Sequence, residues 1–487
     1  MIKTPIIPIY QQVAKHSGAA HLLDKKAVCI YMATGFFLET DSFYQDEQIL
    51  QSGKQYKINE QQKIVASESY FNWNYSPRNI SFQTALDEFT DLFEQIITEQ
   101  TNNRKVILPL SGGLDSRSQA VALHHTKAEV QSYSYAFKNG YKEHSISKQI
   151  TKQCGFPFEQ YTILPGYLWD VLEELAAING CYSEFTHARQ MAVLPQLKEM
   201  EGVFSLGHWG DVLFDRGVAA VDEDQPEVTI VLKKIVKKGG MELATALWKQ
   251  WNLEGTFESY LKNRIQKLLD KIEIENTSAK IRAFKSLYWA PRWTSINLSI
   301  FEAAHPITLP YYDNRMCEFI CTIPEEYLAD RKLQIAYIKQ RNPKVARVRW
   351  QDNKPYNLFN YHKNKSPQNL PYRIKNKLIR EIQGKLGKKY IQRNWELQFL
   401  GEENDKQLAS YIFQKEFMEF IGEQTVTDIY EKFKTKDAVF YSHAVSMLLT
   451  LSVWYKQKNS PLEEGTGGVI PRSPSLNTPK VPSRGQS

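Results

Sequence analysis

Paired cysteines are missing from this chain of 487 residues: the five present, Cys29, Cys154, Cys181, Cys317 and Cys321, are odd in number, scattered and contain no CxxC. That excludes a disulfide framework and a zinc ribbon, and it counts against sulfur-transfer chemistry. Cys317 and Cys321 share a helical face at i,i+4, but no histidine stands beside them, so the thiols read as buried small hydrophobes. No apolar run approaches the length of a bilayer span. The first residues, MIKTPIIPIYQQ, show neither a basic flank before a sustained apolar core nor a small-residue cleavage site. A cytoplasmic protein without a membrane span is therefore expected. Charge of one sign is scarce too: 61 Lys+Arg against 54 Asp+Glu leave +7. That suits a polyanionic nucleotide or an acidic substrate and falls short of a nucleic-acid binder's basic stripe. The GxxxxGK[ST] spacing of a Walker loop is also absent.

What is present is an ordinary globular composition, 42% hydrophobic and 12% aromatic, enough for a large core divided over two or three domains. Residues 1–80 read as a small β-rich unit, with strands over Ala27–Met32 and Gly35–Leu38 and a hairpin of Gln55–Ile58 with Gln62–Ala66. Ser81 is an N-cap candidate before an amphipathic helix that ends near Thr101–Asn103. Then Val106–Leu110 predicts a strand, Ser116–Leu123 a helix and Val130–Phe137 a strand, a βαβ unit in about thirty residues. With further strands at Tyr161–Leu164 and Val203–Leu206, the fold class is α/β, a doubly wound parallel sheet over roughly 104–220. Beyond it helices are expected at 227–250, 256–272, 277–304, 312–323, 333–341, 370–385, 404–421 and 437–457. The segment Arg373–Arg393 is basic. Residues 459–487, rich in Gly, Pro and Ser, read as a disordered tail.

One turn carries chemistry. In Leu110-Ser-Gly-Gly-Leu-Asp-Ser116, Gly112 and Gly113 let the backbone approach an anion, Ser111 and Ser116 add hydroxyl donors, and the following helix presents free amides. A bare Ser-Gly-Gly is weak, because such turns are common; all six positions between an apolar strand and a helix make a pyrophosphate cradle.

The stretch SGGLDS after a strand resembles the PP-loop of the N-type ATP pyrophosphatases, and the chain resembles the synthetase domain of the asparagine synthetase family over 82–458, more faintly over 30–75. Ser205-Leu-Gly-His-Trp-Gly-Asp-Val-Leu-Phe-Asp215 is similar to that family's second loop. The resemblance implies ATP as co-substrate, Mg²⁺ held by Asp115 and Asp211, and an adenine-nucleotide α-hydrolase fold over 81–458. Leu309-Pro-Tyr-Tyr-Asp313, Lys332-Leu-Gln-Ile-Ala-Tyr337 and Arg349-Trp-Gln-Asp-Asn-Lys354 resemble three further family segments, which makes Lys332 and Lys354 catalytic candidates. Each also has a plainer reading: Asp211 as a helix cap, Asp313 as a turn residue, the two lysines as surface charges.

Two departures qualify the resemblance. Complete family members begin, after Met, with a cysteine nucleophile of a glutaminase domain; here Ile2 follows Met1. Residues 1–80 then resemble only the end of that domain, and glutamine hydrolysis is not expected. Second, His208 stands where the family's loop carries a glutamate, and Val212 replaces the acidic residue after the motif aspartate. An imidazole there serves as a base, stacks on substrate, or merely packs.

The resemblance implies a ligase that activates a carboxylate as acyl-adenylate and passes it to ammonia or an amine, supplied free or by a partner amidase. The acid is expected to be a small molecule or peptide; a sugar acid of surface-polysaccharide biosynthesis is one analogy. An intramolecular cyclase of lasso or lactam type and a nucleotide-binding pseudoenzyme scaffold remain open, and an RNA-modifying PP-loop enzyme is disfavoured by the missing CxxC.

Overall fold

The computed structural model describes residues 13–15, 21–138, 140, 144–218, 222, 224–365, 367–385 and 396–459. The expected tail, from residue 460 on, lies outside the described residues.

The N-terminal part departs from expectation at its first buried element. Residues 27–32 form no strand: Lys25–Thr34 is a helix (α1). Asp24 caps it by accepting from the Ala27 amide, and Gly35, at φ 83°, ends it in the left-handed conformation that lets its amide reach Tyr31 O. A short, wholly apolar run carries no period, so a buried helix and a buried strand look alike in sequence. Here every residue from Ala27 to Thr34 is buried, and Gly35–Leu38 continues as an irregular turn. Two antiparallel pairs complete this part: β1 (Val13–Lys15) with β2 (Glu47–Ile49), which the sequence reading did not contain, and β3 (Lys54–Ile58) with β4 (Ile64–Ser69), the expected hairpin. Since α1 sits in the same apolar cluster as Leu243, Val445 and Leu449, this region contributes to the main core as well as carrying strands.

The helix α2 (Phe82–Thr101) begins where Ser81 accepts from the Thr84 amide and buries Phe89, Phe93 and Ile97 along one stripe. Truncating Phe93, which packs on Tyr311 and Tyr337, to alanine would cost about 3–5 kcal/mol. There follow β5 (Val106–Pro109), α3 (Asp115–His125), β6 (Val130–Phe137), α4 (His144–Cys154), β7 (Phe158–Ile163) and β8 (Val203–Ser205). The sheet is closed by a strand the sequence reading did not contain, β9 (Ile307–Thr308), too short to show alternation. All pairs are parallel and the order is β7-β6-β5-β8-β9.

Alternation along β5 shows why helices cover both faces. Val106 and Leu108 enter one apolar cluster with α2 and α3, while Ile107 enters the other. Chain order also reverses at β5: the sheet grows through β6 and β7 to one side and through β8 and β9 to the other. The carboxyl ends of β5 and β8 therefore flank a topological switch point, where a parallel sheet opens a crevice.

The helix-rich remainder follows the expected segments, with breaks. The segment 227–250 is two helices, parted where Gly239 takes φ 74°. The segment 277–304 is interrupted by π-helical Lys285–Thr294, which contains Pro291; proline lacks the amide an α-turn needs, and a wider turn accommodates it. Later helices include α5 (Lys332–Arg341), α6 (Leu370–Lys385) and α7 (Ala438–Asn459). Among the described residues α7 alone is long and apolar enough to cross a membrane, and 72% of that window is buried inside the protein. All five cysteines are free and buried.

Candidate active site

The PP-loop leaves β5 and turns into α3. The Ser111 amide donates to Ser116 Oγ at 3.1 Å, and the Gly113 amide to Ser111 Oγ at 3.3 Å. No side chain caps α3, so its first amides, which have no intrahelical partner, remain available to an anion.

The second loop leaves β8 beside it and is pressed against the first. A Cβ on Gly210 would stand 2.3 Å from Asp115 Oδ1, so only glycine allows the contact. Between the loop's glycines Trp209 takes φ 76°, a conformation costly for a bulky side chain. It is held by a hydrogen bond from Nε1 to Ser286 Oγ at 3.1 Å and by edge contact with Trp289 and Tyr312. Asp211 follows in a single helical turn, Gly210–Leu213.

Ser111, Asp115, Ser116, His208 and Asp211 line one cavity of about 430 Å³ at the switch point. Gly112 and Gly113, the loop's two candidate glycines, are not among the lining residues. Burial drives the Asp115 carboxyl up to about 6, Arg331 opposes this, and the nearby Asp211 charge adds to it. Two hard carboxylates close enough to repel each other are the donor set Mg²⁺ takes, so the residues fit that ion. Burial pushes His208 down to about 4, with Asp211 pulling the other way. The imidazole is therefore neutral near pH 7, and its Nδ1 is buried without a partner.

Neither lysine candidate is among the residues that line the cavity. Lys354 belongs to a segment clamped onto the PP-loop: Gly112 donates to Gln351 Oε1 at 3.1 Å, and the Gln351 amide donates to Gly112 O at 3.2 Å. The fully buried Arg117 guanidinium donates to Val348 O, Arg349 O and Gly112 O. Lys332 is exposed, donates to Glu326 O at 2.8 Å and does not reach the cavity. Its neighbour touches a lining residue: the Arg331 guanidinium pairs with Asp115 Oδ1, and Gln334 donates to the same oxygen at 3.0 Å. Asp313 takes its plainer reading, capping the helix 314–321 and accepting from Arg315. Tyr311, two positions earlier, reaches Asp115 O at 3.2 Å.

The far wall was not read from sequence. Lys285, Trp289, Trp293 and Thr294, all from the π-helical turn, line it with Gln190 and Phe301. The Lys285 and Lys237 ammonium groups each lie 5.4 Å from the Trp289 ring centre, and among the described residues neither enters an ion pair. Burial pushes Lys285 down to about 8, with Asp211 opposing. Among the described residues Gln190 Oε1, Trp289 Nε1 and Thr294 Oγ1 are buried without partners, an expensive condition that a bound polar group relieves. Behind Trp293, His187 packs edge-on and lies 3.3 Å from Glu184. Glu184 is buried, yet His187, two hydroxyls and an amide hold it down at about 2.

Comparison with known proteins bears on this region. Residues 88–217 match the asparagine synthase family model, a span running from α2 through both loops. No curated protein matches the sequence. Among solved structures 31 chains match; one is an NMN synthetase from Francisella tularensis, 14% identical, covering 43% of this chain and 94% of that chain with a TM-score of 0.22, a likeness too low to say anything of activity. Both loops that meet at the switch point of the parallel sheet lie within residues 88–217, the stretch over which this chain is similar to the asparagine synthase family.

Proposed function

We propose that the protein is an AMP-forming carbon–nitrogen ligase that activates the carboxylate of a sugar acid and transfers it to ammonia or a small amine. One observation carries the reading: the PP-loop hydroxyls, the Asp115 and Asp211 carboxylates, the His208 imidazole and the Lys285 ammonium surround a single cavity.

The substrate carboxylate oxygen attacks the α-phosphorus, the bond to the β-phosphate breaks, and pyrophosphate leaves along the PP-loop. The Ser111 and Ser116 hydroxyls and the free amides of the first turn of α3 face that leaving group, and such pre-oriented donors are worth several kcal/mol together. Mg²⁺, for which Asp115 and Asp211 are the fitting ligands, supplies charge neutralisation of the phosphates when bound. The amine nitrogen then attacks the acyl carbon, AMP departs, and His208 accepts the proton released from nitrogen.

The far wall supports a hydroxylated acid. Trp289 and Trp293 offer flat apolar faces against which a sugar ring stacks through its C–H groups, Gln190 and Thr294 offer hydrogen bonds to hydroxyls, and Lys285 offers a counter-charge to the carboxylate. The test is pyrophosphate release from Mg·ATP with D-glucuronate or D-galacturonate plus ammonium, with mass spectrometry of the product. The expected result is release dependent on both acid and ammonium, with formation of the uronamide. Release supported by a peptide carboxylate instead, or by no acid at all while ATP still binds, would overturn the sugar-acid reading.

A further inference from the structure

The apolar residues left in water are unevenly distributed. Of the twelve large hydrophobic side chains exposed among the described residues, five lie within thirteen residues of one helix: Leu370, Ile374, Leu378, Ile379 and Ile382 of α6, each 40–57% exposed. Leu370, Ile374, Leu378 and Ile382 recur every four positions, so they stack along one side of the helix and, with Pro371 and the stem of Lys375, line an open apolar trough. The sequence Leu370–Lys385 holds five basic residues, Arg373, Lys375, Lys377, Arg380 and Lys385, against one acidic residue, Glu381. More than half of the chain's net charge of +7 thus sits on one helix with a bare aliphatic side.

Such a helix has too much exposed aliphatic surface to be a solvated face, and the rest of the described protein leaves that side uncovered. A second copy of the chain is a poor cover, because pairing α6 with itself brings two strongly basic segments together. Nucleic acid would use the charge and leave the aliphatic row without a partner. A surface that is anionic outside and hydrocarbon within satisfies both. We propose that α6 is a docking surface for an anionic lipid bilayer, lying in the plane of the interface with its aliphatic row among the acyl chains and its basic residues on the headgroups.

The test is flotation of the full chain with vesicles of phosphatidylcholine alone and vesicles with about one-third phosphatidylglycerol. The wild type is expected to partition at least about tenfold more strongly to the anionic vesicles, and to lose most of this on raising salt from about 0.1 M to about 0.5 M. Ile374→Glu with Leu378→Glu should abolish binding, and Lys375→Glu with Lys377→Glu should weaken it about tenfold or more. Since all four positions lie away from the cavity, nucleotide binding and circular dichroism should be unchanged, which separates this result from failure to fold and from any failure of the ligase reading. Equal binding to neutral vesicles, binding that survives the Glu substitutions, or an absence of binding in a wild type that sediments as a dimer and becomes monomeric on Ile374→Glu would each overturn the proposal.

Discussion

The Arg331 guanidinium pairs with Asp115 Oδ1, so the first-loop carboxylate is held from the turn that leads into α5. Arg331 and the preceding Asp330 both take left-handed backbone angles, φ 63° and 55°, a costly local arrangement that brings the guanidinium into the site. Replacing Arg331 with Met should lower kcat/KM for pyrophosphate release by about tenfold or more, the cost of a lost charge-assisted hydrogen bond. Arg331→Lys should recover only part. Steady-state kinetics with the uronate and ammonium would measure both, and an unchanged Arg331→Met enzyme would remove Arg331 from the machinery.

The close approach of the two loops predicts a graded glycine series. Gly210→Ala drives a Cβ onto Asp115, and Gly112→Ala places one 2.4 Å from Gln351 Oε1. In Gly113→Ala the new Cβ meets only Ser111 Oγ, at 3.3 Å. ATP affinity, read by calorimetry, should fall most for Gly210→Ala and Gly112→Ala and least for Gly113→Ala. A flat series would mean that the loops tolerate separation.

Lys285 gives a pH signature. Its ammonium loses its proton near 8 in the folded protein against an ordinary 10.5. The KM for the acid substrate should therefore rise as pH passes through about 8, and Lys285→Arg should hold it flat, because a guanidinium stays charged there. In stability the sign is opposite: from about 8 to 10.5 the unfolded chain binds the extra proton, so this group makes the protein more stable as pH rises through that window. A KM that ignores pH in the wild type would separate Lys285 from acid recognition.

Glu302 supplies a test of stability alone. It lines a second cavity, of about 400 Å³, with Trp73 and Tyr312, and burial raises its carboxyl from 4.5 to about 7. The native state keeps the proton longer than the unfolded chain does. Its favourable contribution is thus complete below 4.5 and is lost as pH rises through 7. Glu302→Gln should raise Tm at pH 8 relative to the wild type and give no gain at pH 4.5. Equal Tm changes at both values would show that burial does not perturb this carboxyl.

How much of this was legible beforehand depended on whether a residue's role is written in its neighbours along the chain. The PP-loop was legible because strand, glycines, serines and helix are contiguous, and the second loop because Gly207, Gly210 and Asp211 repeat the device. The α2 cap, the β3–β4 hairpin and β6 followed from local propensity and period. The helix α1 was misread as a strand because a fully buried run shows no period, and β9 escaped because two residues cannot alternate. The resemblance points to Lys332, whereas Arg331 is the residue that reaches Asp115, a difference of one position set by two left-handed angles that no local composition announces. Lys285 and Gln334 carry no sequence signal at all, since each is an ordinary helical position until the fold turns it toward the cavity.

Arg117 bears on timing. With its guanidinium shared among three carbonyls of the PP-loop and the 348–349 segment, the two strands of backbone behave as one rigid jaw. The entropy of ordering the segment that carries Lys354 is then spent when the chain folds, before any nucleotide arrives.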